Sequence, residues 1–216
     1  MPLTIEVFSD LVCPWCFIGK RRLDRVLASP AGEGVEVRWR AYQLAPRIPA
    51  EGVDRARYYE AKFGNDGSRV PSRIAEEAAS EGISMNFAAI RVMPNTFSGH
   101  RLLHLAEESG DAALQHLLAD ELFQAYFQQG LDVGRPEVLA DVAARVGMDR
   151  RTVIDYLAGD GGVDAVRAEL ERAVDLGISG VPSFLLGGTF PIPGAQSAEV
   201  MTTFINRARE RLADAG

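Results

Sequence analysis

Two cysteines, Cys13 and Cys16, are the residues of this sequence whose type and spacing most directly indicate chemistry. They are the only cysteines among 216 residues, and Pro14 and Trp15 separate them. Two thiols at this spacing can close a disulfide with each other, and a thiolate can attack a disulfide in another molecule. The pair therefore favours thiol–disulfide exchange.

A strand and a helix are predicted on either side of the pair. Residues 3–8 alternate apolar and polar side chains and are rich in β-branched residues, which predicts a strand. From Cys16 onward apolar residues recur at helical spacing, and Pro14 suits the first turn of such a helix. At a helix N-terminus, the pKa of a thiol such as Cys13 can fall from about 8.5 to roughly 3.5–7.5. We expect Cys13 to attack and the more buried Cys16 to resolve the mixed disulfide.

A metal site, a structural disulfide and a pair of unreactive buried thiols are weaker interpretations of the two cysteines. A metal site needs about four ligands, and the sequence has no second cysteine pair; His100 and His104 lack a third ligand at motif-like spacing. A structural disulfide over so short a loop would add little stability. If the thiols were unreactive and buried, their spacing and their position between a strand and a helix would have no explanation. We expect no metal and no dissociable cofactor, and a redox-active Cys13–Cys16 disulfide instead.

Composition and charge narrow the class of protein. With 216 residues, 47% of them hydrophobic, the chain can bury a sizeable core as one domain or as a domain carrying an insertion. The net charge of −7 argues against nucleic acid and anionic membranes as partners. No apolar run approaches the roughly 20 residues of a membrane span. The first residues have neither the basic nor the apolar region of a secretory signal, so we expect none. We expect a cytoplasmic protein, in which a cysteine pair is more often catalytic than structural.

The predicted strands lie in two separated parts of the chain. Residues 35–42 alternate again, so strand, helix and strand predict a βαβ unit with parallel strands. Residues 182–186 and 189–192 flank two glycines and predict a β-hairpin, followed by a last helix. We therefore expect one sheet-and-helix domain from residues 1–50 and 178–216.

Residues 51–177 are predicted to form a helical insertion. The candidate helices span residues 55–63, 72–81, 96–109, 111–129, 136–146, 149–157 and 163–176. Asn95 is the predicted N-cap of the third helix. The fourth carries a stripe that we expect in the core, made of Leu114, Leu117, Leu118, Leu122, Phe123, Tyr126 and Phe127. Arg38 and Arg40 on the second strand are expected to face solvent.

These motifs resemble a known family. Cys13-Pro14-Trp15-Cys16 between a strand and a helix, with Gly180-Val181-Pro182-Ser183-Phe184 before a terminal hairpin, resembles the thioredoxin superfamily. The helical insertion resembles that of DsbA-like thiol–disulfide oxidoreductases. Residues 5–16, Asn95-Thr96, Gly99-His100-Arg101 and residues 193–196 resemble the FrnE-type branch, which is related to 2-hydroxychromene-2-carboxylate isomerases. The resemblance covers essentially the whole chain. It implies an α/β thioredoxin-like fold with a large all-helical insertion between β-α-β and β-β-α halves.

The resemblance also implies how the site works. Val181–Pro182 is expected to be a cis peptide bond, with Pro182 packed against Cys13. Backbone groups of Val181 would pair with an extended substrate segment, as in strand addition. The related isomerases depend on glutathione and carry serine where Cys13 stands. The two thiols present here therefore favour redox chemistry, with glutathione as a candidate co-substrate.

Several residues near the motif keep two interpretations each. Asp10 is either a proton-transfer group beside the thiols or a turn cap. Trp15 either contacts substrate or covers the start of the helix. His100, with Asn95 nearby, either lines a substrate cleft or packs in the core. The candidate substrate-binding residues are Pro14, Trp15, Val181, Asn95 and His100.

The leading hypothesis is a cytoplasmic DsbA-like thiol–disulfide oxidoreductase whose catalytic residues are Cys13, Cys16 and Pro182. It would act, as a monomer or homodimer, on protein or small-molecule thiols and disulfides. Two alternatives stay open. One is a glutathione-dependent isomerase or transferase for a small aromatic substrate, and the other is a chaperone-like module that binds apolar segments without redox chemistry.

Overall fold

Strands and helices are described over residues 3–65, 67–69 and 71–214 of a computed structural model. The strands are β1 (Leu3–Ser9), β2 (Val35–Ala41), β3 (Val53–Asp54), β4 (Val92–Met93), β5 (Ser183–Leu186) and β6 (Phe190–Pro193). The α-helices are α1 (Pro14–Leu27), α2 (Arg55–Phe63), α3 (Ser72–Ser80), α4 (Phe97–Glu108), α5 (Ala112–Phe127), α6 (Pro136–Arg145), α7 (Arg150–Ala158), α8 (Val163–Asp175) and α9 (Ala198–Asp214). Within these ranges, every helix is too short or too polar to span a lipid bilayer.

β1 lies in the middle of the main sheet, whose strand order is β2-β1-β5-β6. It runs parallel to β2, from Leu3 opposite Val35 to Ser9 opposite Ala41. On its other side β1 is antiparallel to β5, and β5 and β6 form an antiparallel hairpin. Both glycines of the hairpin turn have positive φ, as the tight turn requires. The predicted βαβ unit and terminal hairpin are confirmed.

Helices cover both faces of this sheet. On one face, Ile5 of β1 lies against Leu23 of α1 and Met201 of α9. On the other face, Phe8 packs with Ala173 of α8 and with Leu185 of β5. Because successive residues of a strand point to opposite faces, β1 must be apolar on both. This double cover holds the end of β1, and the turn after it, in a fixed position.

An aromatic stack joins the sheet domain to the insertion. The Phe17 ring of α1 stacks on Phe123 of α5, with centroids 5.4 Å apart and planes 12° from parallel. Phe127, one turn further along α5, lies 6.1 Å from Phe17. The predicted stripe on this helix is buried from Leu118 to Phe127, but the prediction for Leu117 is wrong, because its side chain is 56% exposed. Leu117 is rotated about 100° from Leu118 around the helix and so faces solvent.

The insertion contains a strand pair that the sequence did not predict. Val53 of β3 lies opposite Met93 of β4, and Asp54 lies opposite Val92. The pair brings the start of α2 beside the segment that leads into α4, and the Arg55 N–H donates to the Arg91 carbonyl at 3.0 Å. Two-residue strands are too short to show a period of two.

Arg40 does not face solvent, and that prediction is wrong. Its side chain is 13% exposed, against 43% for Arg38. The guanidinium donates to Glu6 at 2.8 Å, to Glu107 at 2.6 Å and to Glu169 at 3.0 Å. Burial alone would lower the pKa of Arg40, but these carboxylates outweigh burial and raise it. Arg40 therefore connects β1 and β2 to α4 and α8.

Candidate active site

The two cysteines lie where β1 leads into α1. Cys13 is the residue immediately before the helix, and Pro14 is its first residue. The Cys13 N–H donates to the Asp10 carbonyl at 3.0 Å, and the Cys13 carbonyl accepts from the Cys16 N–H at 3.0 Å. The turn thus holds Cys13 beside the free N–H groups of the helix N-terminus, where a thiolate is stabilised.

The two thiols differ in their surroundings. Both are free, with exposed fractions of 4% for Cys13 and 1% for Cys16. Burial, followed by the neighbouring Cys13 thiol, raises the pKa of Cys16 well above its usual value. Cys16 is therefore held as a protonated thiol behind Cys13.

The segment before β5 completes the site. The Val181–Pro182 peptide bond is cis. The Cys13 thiol donates to the Val181 carbonyl, with Sγ and O 3.6 Å apart. Val181 is partly exposed, so this residue borders both the thiol and solvent. The fold thus brings together two motifs that lie 168 positions apart in the chain.

Gly19 allows α1 to lie close to this segment, a role that the sequence alone did not reveal. A Cβ on Gly19 would be 3.0 Å from Pro182 Cγ and 3.3 Å from the Phe184 ring. Gly19 lies one turn after Cys16, on the face of α1 that meets Pro182. A glycine inside an otherwise regular helix was the available signal, because such a glycine often marks a close approach.

Asp10 and His100 lie under the turn. Asp10 is 1% exposed, and its Oδ2 accepts from the Leu44 N–H at 2.7 Å. Its Oδ1 has no hydrogen-bond partner among the described residues and is 3.6 Å from His100 Nε2. That nitrogen is 3.0 Å from the Tyr42 carbonyl, so it must carry the proton and donate. Asp10 therefore anchors the loop after β2, and His100, at 2% exposed, is buried beneath the surface rather than lining a cleft.

Asn95 is engaged by the protein itself. Its Oδ1 accepts from the Phe97 N–H at 2.9 Å and from Gln43 Nε2 at 3.1 Å. Its Nδ2 donates to the Ile48 carbonyl at 2.6 Å. Thr96, not Asn95, occupies the N-cap position of α4, although the Asn95 side chain makes the capping bond. These bonds hold the loop after β2 against the start of α4.

Trp15 lies partly exposed at the rim, and α3 covers one side of it. The Arg73 guanidinium of α3 is 5.3 Å from the centre of the Trp15 ring. Arg22 of α1 fixes α3 in this place. It donates to Glu81 at 2.9 Å and also pairs with Glu77.

Arg22 also reaches the chain beyond β6, where its Nη1 donates to the Ala195 carbonyl at 2.6 Å. Its exposed fraction is 8%. One side chain therefore links the cysteine-bearing helix, the insertion and the segment after the hairpin. The charge pattern of α1 gave no signal of this role, because several arginines there look alike.

The family profile described as "DSBA-like thioredoxin domain" matches residues 4–206. The chain belongs to the DsbA-like thioredoxin-domain family. It is 29% identical over 215 residues to the uncharacterized protein YwbO of Bacillus subtilis strain 168, covering 98% of this chain and 100% of that protein. The α/β thioredoxin-like fold predicted from the sequence is confirmed.

Two solved structures with DsbA-type names are similar to this chain. The probable DsbA oxidoreductase SCO1869 of Streptomyces coelicolor has a TM-score of 0.83 and 32% identity, with 96% of this chain and 90% of that chain covered. The cytosolic disulfide reductase DsbM of Pseudomonas aeruginosa with GSH has a TM-score of 0.63 and 16% identity, with 98% of each chain covered. At the lower identity the likeness concerns the fold alone.

One group of side chains in this DsbA-like domain has the composition of a metal site. Single ligand atoms of His104, Glu107 and Glu169 lie within 4.8 Å of one another. Arg40 already donates to both glutamates, at 2.6 and 3.0 Å. The group is therefore an ion-pair cluster that holds α4 and α8 to the sheet.

Proposed function

We propose that this DsbA-like protein is a thiol–disulfide oxidoreductase in which Cys13 is the nucleophile and Cys16 the resolving thiol. The observation that supports this most is the position of Cys13. Its thiol lies at the N-terminus of α1 and 3.6 Å from the Val181 carbonyl beside the cis Pro182. A nucleophilic sulfur next to a partly exposed backbone segment suits attack on a disulfide held in an extended chain.

In the proposed reaction the Cys13 thiolate attacks one sulfur of a substrate disulfide. A Cys13–substrate disulfide forms, and the other substrate sulfur leaves as a thiolate. Cys16 then loses its proton and attacks Cys13 Sγ, which closes the Cys13–Cys16 disulfide and releases the second substrate thiolate. Two electrons pass from the cysteine pair to the substrate, and the reverse sequence oxidises a substrate dithiol.

The burial of Cys16 suits the role of resolving thiol. Its raised pKa keeps Cys16 protonated in the reduced protein, so Cys13 attacks the substrate first and Cys16 attacks second. Pro182 would border the attacked disulfide, and Val181 would pair with the substrate backbone. Pro14 and Trp15 would form the exposed edge on the helix side.

Glutathione is the proposed small-molecule partner, and the cytoplasm is the proposed location. The structure of DsbM with GSH supports both points by analogy of fold. The direction of electron flow follows from the reduction potential of the Cys13–Cys16 couple. Equilibration in glutathione buffers measures that potential, with about 30 mV corresponding to 1.4 kcal/mol for two electrons.

Two serine variants test the assignment. Cys13→Ser should reduce insulin no faster than buffer does, because the attacking thiolate is gone. Cys16→Ser should accumulate a mixed disulfide with substrate, visible as a mass increase that dithiothreitol removes. Insulin reduction by Cys13→Ser at the parent rate would refute the proposal.

The glutathione-dependent isomerase is the weaker alternative. Asn95 and His100, which suggested it, are engaged with Ile48, Phe97, Tyr42 and Asp10. Glutathione-dependent turnover of a chromene-type acid by the Cys13→Ser/Cys16→Ser double variant would favour it nonetheless.

A further inference from the structure

A groove with a volume of about 550 Å³ lies between α2 and the segment that follows β2. Its walls are mainly apolar and include Leu44, Ile48, Val53 and Tyr58. Leu44 is 42% exposed. A groove of this size and lining is typical of a binding site.

The groove begins beside the reactive turn. The Leu44 N–H donates to Asp10 Oδ2 at 2.7 Å, and the Asp10 carbonyl accepts from the Cys13 N–H at 3.0 Å. Two hydrogen bonds therefore separate Leu44 from the residue that carries the proposed nucleophile. A chain held near Cys13 can reach the groove within a few residues, since an extended chain advances about 3.3 Å per residue.

The charge of the groove differs from that of the whole protein. Arg47 and Lys62 line it, and none of the described residues that line it is acidic, although the chain carries a net charge of −7. Among the described residues, neither cation has a carboxylate within ion-pair distance. Arg22, on the helix that carries the cysteines, is by contrast paired with Glu77 and Glu81.

The Lys62 amine is held in place by neutral neighbours. It donates to the Tyr58 hydroxyl at 3.0 Å and lies 5.4 Å from the centres of the Tyr58 and Phe63 rings. These contacts orient the Lys62 amine, and both partners are uncharged. A carboxylate entering the groove would meet a positioned cation above an apolar wall.

We propose that this groove binds the polypeptide segment that flanks the disulfide of a substrate, and that the preferred segment combines apolar side chains with Asp or Glu. The inference rests on the proposed function, because it identifies the substrate class of the same site. The apolar walls favour a polypeptide over glutathione, whose two carboxylates come without a large apolar side chain. Electrostatic complementarity of this kind selects among substrates.

Matched peptides test the charge preference. Each carries Leu and Val around one cysteine, activated as a mixed disulfide with thionitrobenzoate, and differs only in Glu, Gln or Lys beside the cysteine. We expect the reduced protein to react about threefold to fivefold faster with the Glu peptide than with the Gln peptide at low ionic strength, and slowest with the Lys peptide. The difference should shrink as salt screens the charges.

Charge-reversal variants assign the preference to the groove. Lys62→Glu should abolish or reverse the order of the three peptides. Arg57→Glu is the matched control, because Arg57 is exposed on the same helix but does not line the groove. Equal rates for the three peptides in the parent protein, or equal responses of the two variants, would overturn the proposal.

Two further experiments distinguish a failure of the groove proposal from a failure of the proposed redox function. Reduction of bis(2-hydroxyethyl) disulfide, which has no flanking chain, should be the same in the parent, Lys62→Glu and Arg57→Glu proteins. If the parent does not reduce it, the proposed function fails, and the groove is judged by binding alone.

Calorimetry measures that binding with a cysteine-free Glu peptide and the Cys13→Ser/Cys16→Ser protein. The Glu peptide should bind more tightly than its Gln counterpart, and Lys62→Glu should weaken it while Arg57→Glu does not. Absence of binding would overturn the proposal. Displacement of the peptide by S-methylglutathione, a thioether analogue of glutathione, with the same dependence on Lys62 is the other contrary result. That result would assign the groove to glutathione and would also overturn the proposal.

Discussion

At the residue scale, the chemistry depends on how differently two identical side chains are surrounded. Cys13 borders the helix N-terminus and the Val181 carbonyl, whereas Cys16 is buried in the core one turn further on, with the Ser9 hydroxyl beside it. The asymmetry is made by position along the turn, so variants that keep the turn should keep it.

Above about pH 8.5, the reduced protein should lose stability because of Cys16. A thiol in the unfolded chain ionises near 8.5, whereas burial and the Cys13 thiol raise the pKa of folded Cys16 well above that. The unfolded state therefore releases a proton that the folded state keeps. Between about pH 8.5 and the raised pKa of folded Cys16, the free energy of unfolding should fall by up to about 1.4 kcal/mol per pH unit. Below about pH 8.5 this loss of stability is absent.

Urea denaturation of the reduced protein at several pH values measures this slope. Cys16→Ser should remove most of it, while Cys13→Ser should retain a large part, because Cys16 stays buried there. Identical slopes in the parent protein and Cys16→Ser would contradict the prediction.

Gly19→Ala should slow exchange more than it changes stability. Alanine in a helix gains roughly 1 kcal/mol over glycine, and crowding against Pro182 at 3.0 Å costs a similar amount or somewhat more. The added methyl should displace Pro182 from Cys13 and lower the insulin reduction rate several-fold. Gly159→Ala, where a Cβ meets only ordinary contacts, is the control. An unchanged rate in Gly19→Ala would show that the close approach is not needed.

At the element scale, ion pairs decide how helices are set around the turn. Arg22 holds α1, α3 and the segment after β6 with one guanidinium, and Arg40 holds β1, β2, α4 and α8 with another. Both lie at junctions between the sheet domain and the insertion. Removing the Arg22 or Arg40 side chain should therefore weaken the packing of several helices and strands and not only one contact.

Arg22→Ala should reduce the free energy of unfolding by about 2–3 kcal/mol, because it leaves the Ala195 carbonyl without its donor and leaves Glu81 with only the exposed Arg25 as a partner. Arg25→Ala is the matched control. Arg25 also pairs with Glu81 but is 56% exposed, so its loss should cost less than about 1 kcal/mol. Chemical denaturation of both variants compares them, and equal losses would contradict the role given to Arg22.

Local patterns predicted most of the elements, whereas several residue roles depend on tertiary contacts. Alternation identified β1 and β2, and helical periodicity identified α1 and the long α5, because one buried face determines each pattern. The spacing of Cys13 and Cys16 was enough to predict the reactive pair without a structure. The roles of Gly19, Arg22 and Arg40 depend on partners from 34 to 173 positions away, which no local pattern encodes.

At the scale of the whole molecule, the sheet domain and the insertion share one core. Trp39 of β2 is 3% exposed, packs on Phe123 of α5, and donates from Nε1 to His116. We propose that residues 1–50 and 178–216 are a separate structural unit from residues 51–177 but not a separate folding unit. Removing the insertion would expose Trp39 and Phe17.

Unfolding should accordingly be a single cooperative transition. Far-UV circular dichroism follows helices that lie mostly in the insertion, and near-UV signals follow buried aromatics such as Trp39 at the junction. We expect the two urea transitions to coincide, as in a two-state protein. A junction transition at lower urea would show that the insertion is independently stable. A chain with residues 51–177 replaced by a short linker should fail to fold.

The position of β1 between β2 and β5 also sets the timing of assembly on the ribosome. Residues of β1 are made first and can pair with β2 within a few seconds, but β5 is made about 175 residues later. At common synthesis rates this delay is roughly 10–35 s. During that time the nascent chain carries both cysteines without Val181 and Pro182. If the proposed function holds, the newly made protein becomes competent for thiol–disulfide exchange only when β5 emerges. Until then its two thiols lack the cover that the segment before β5 provides.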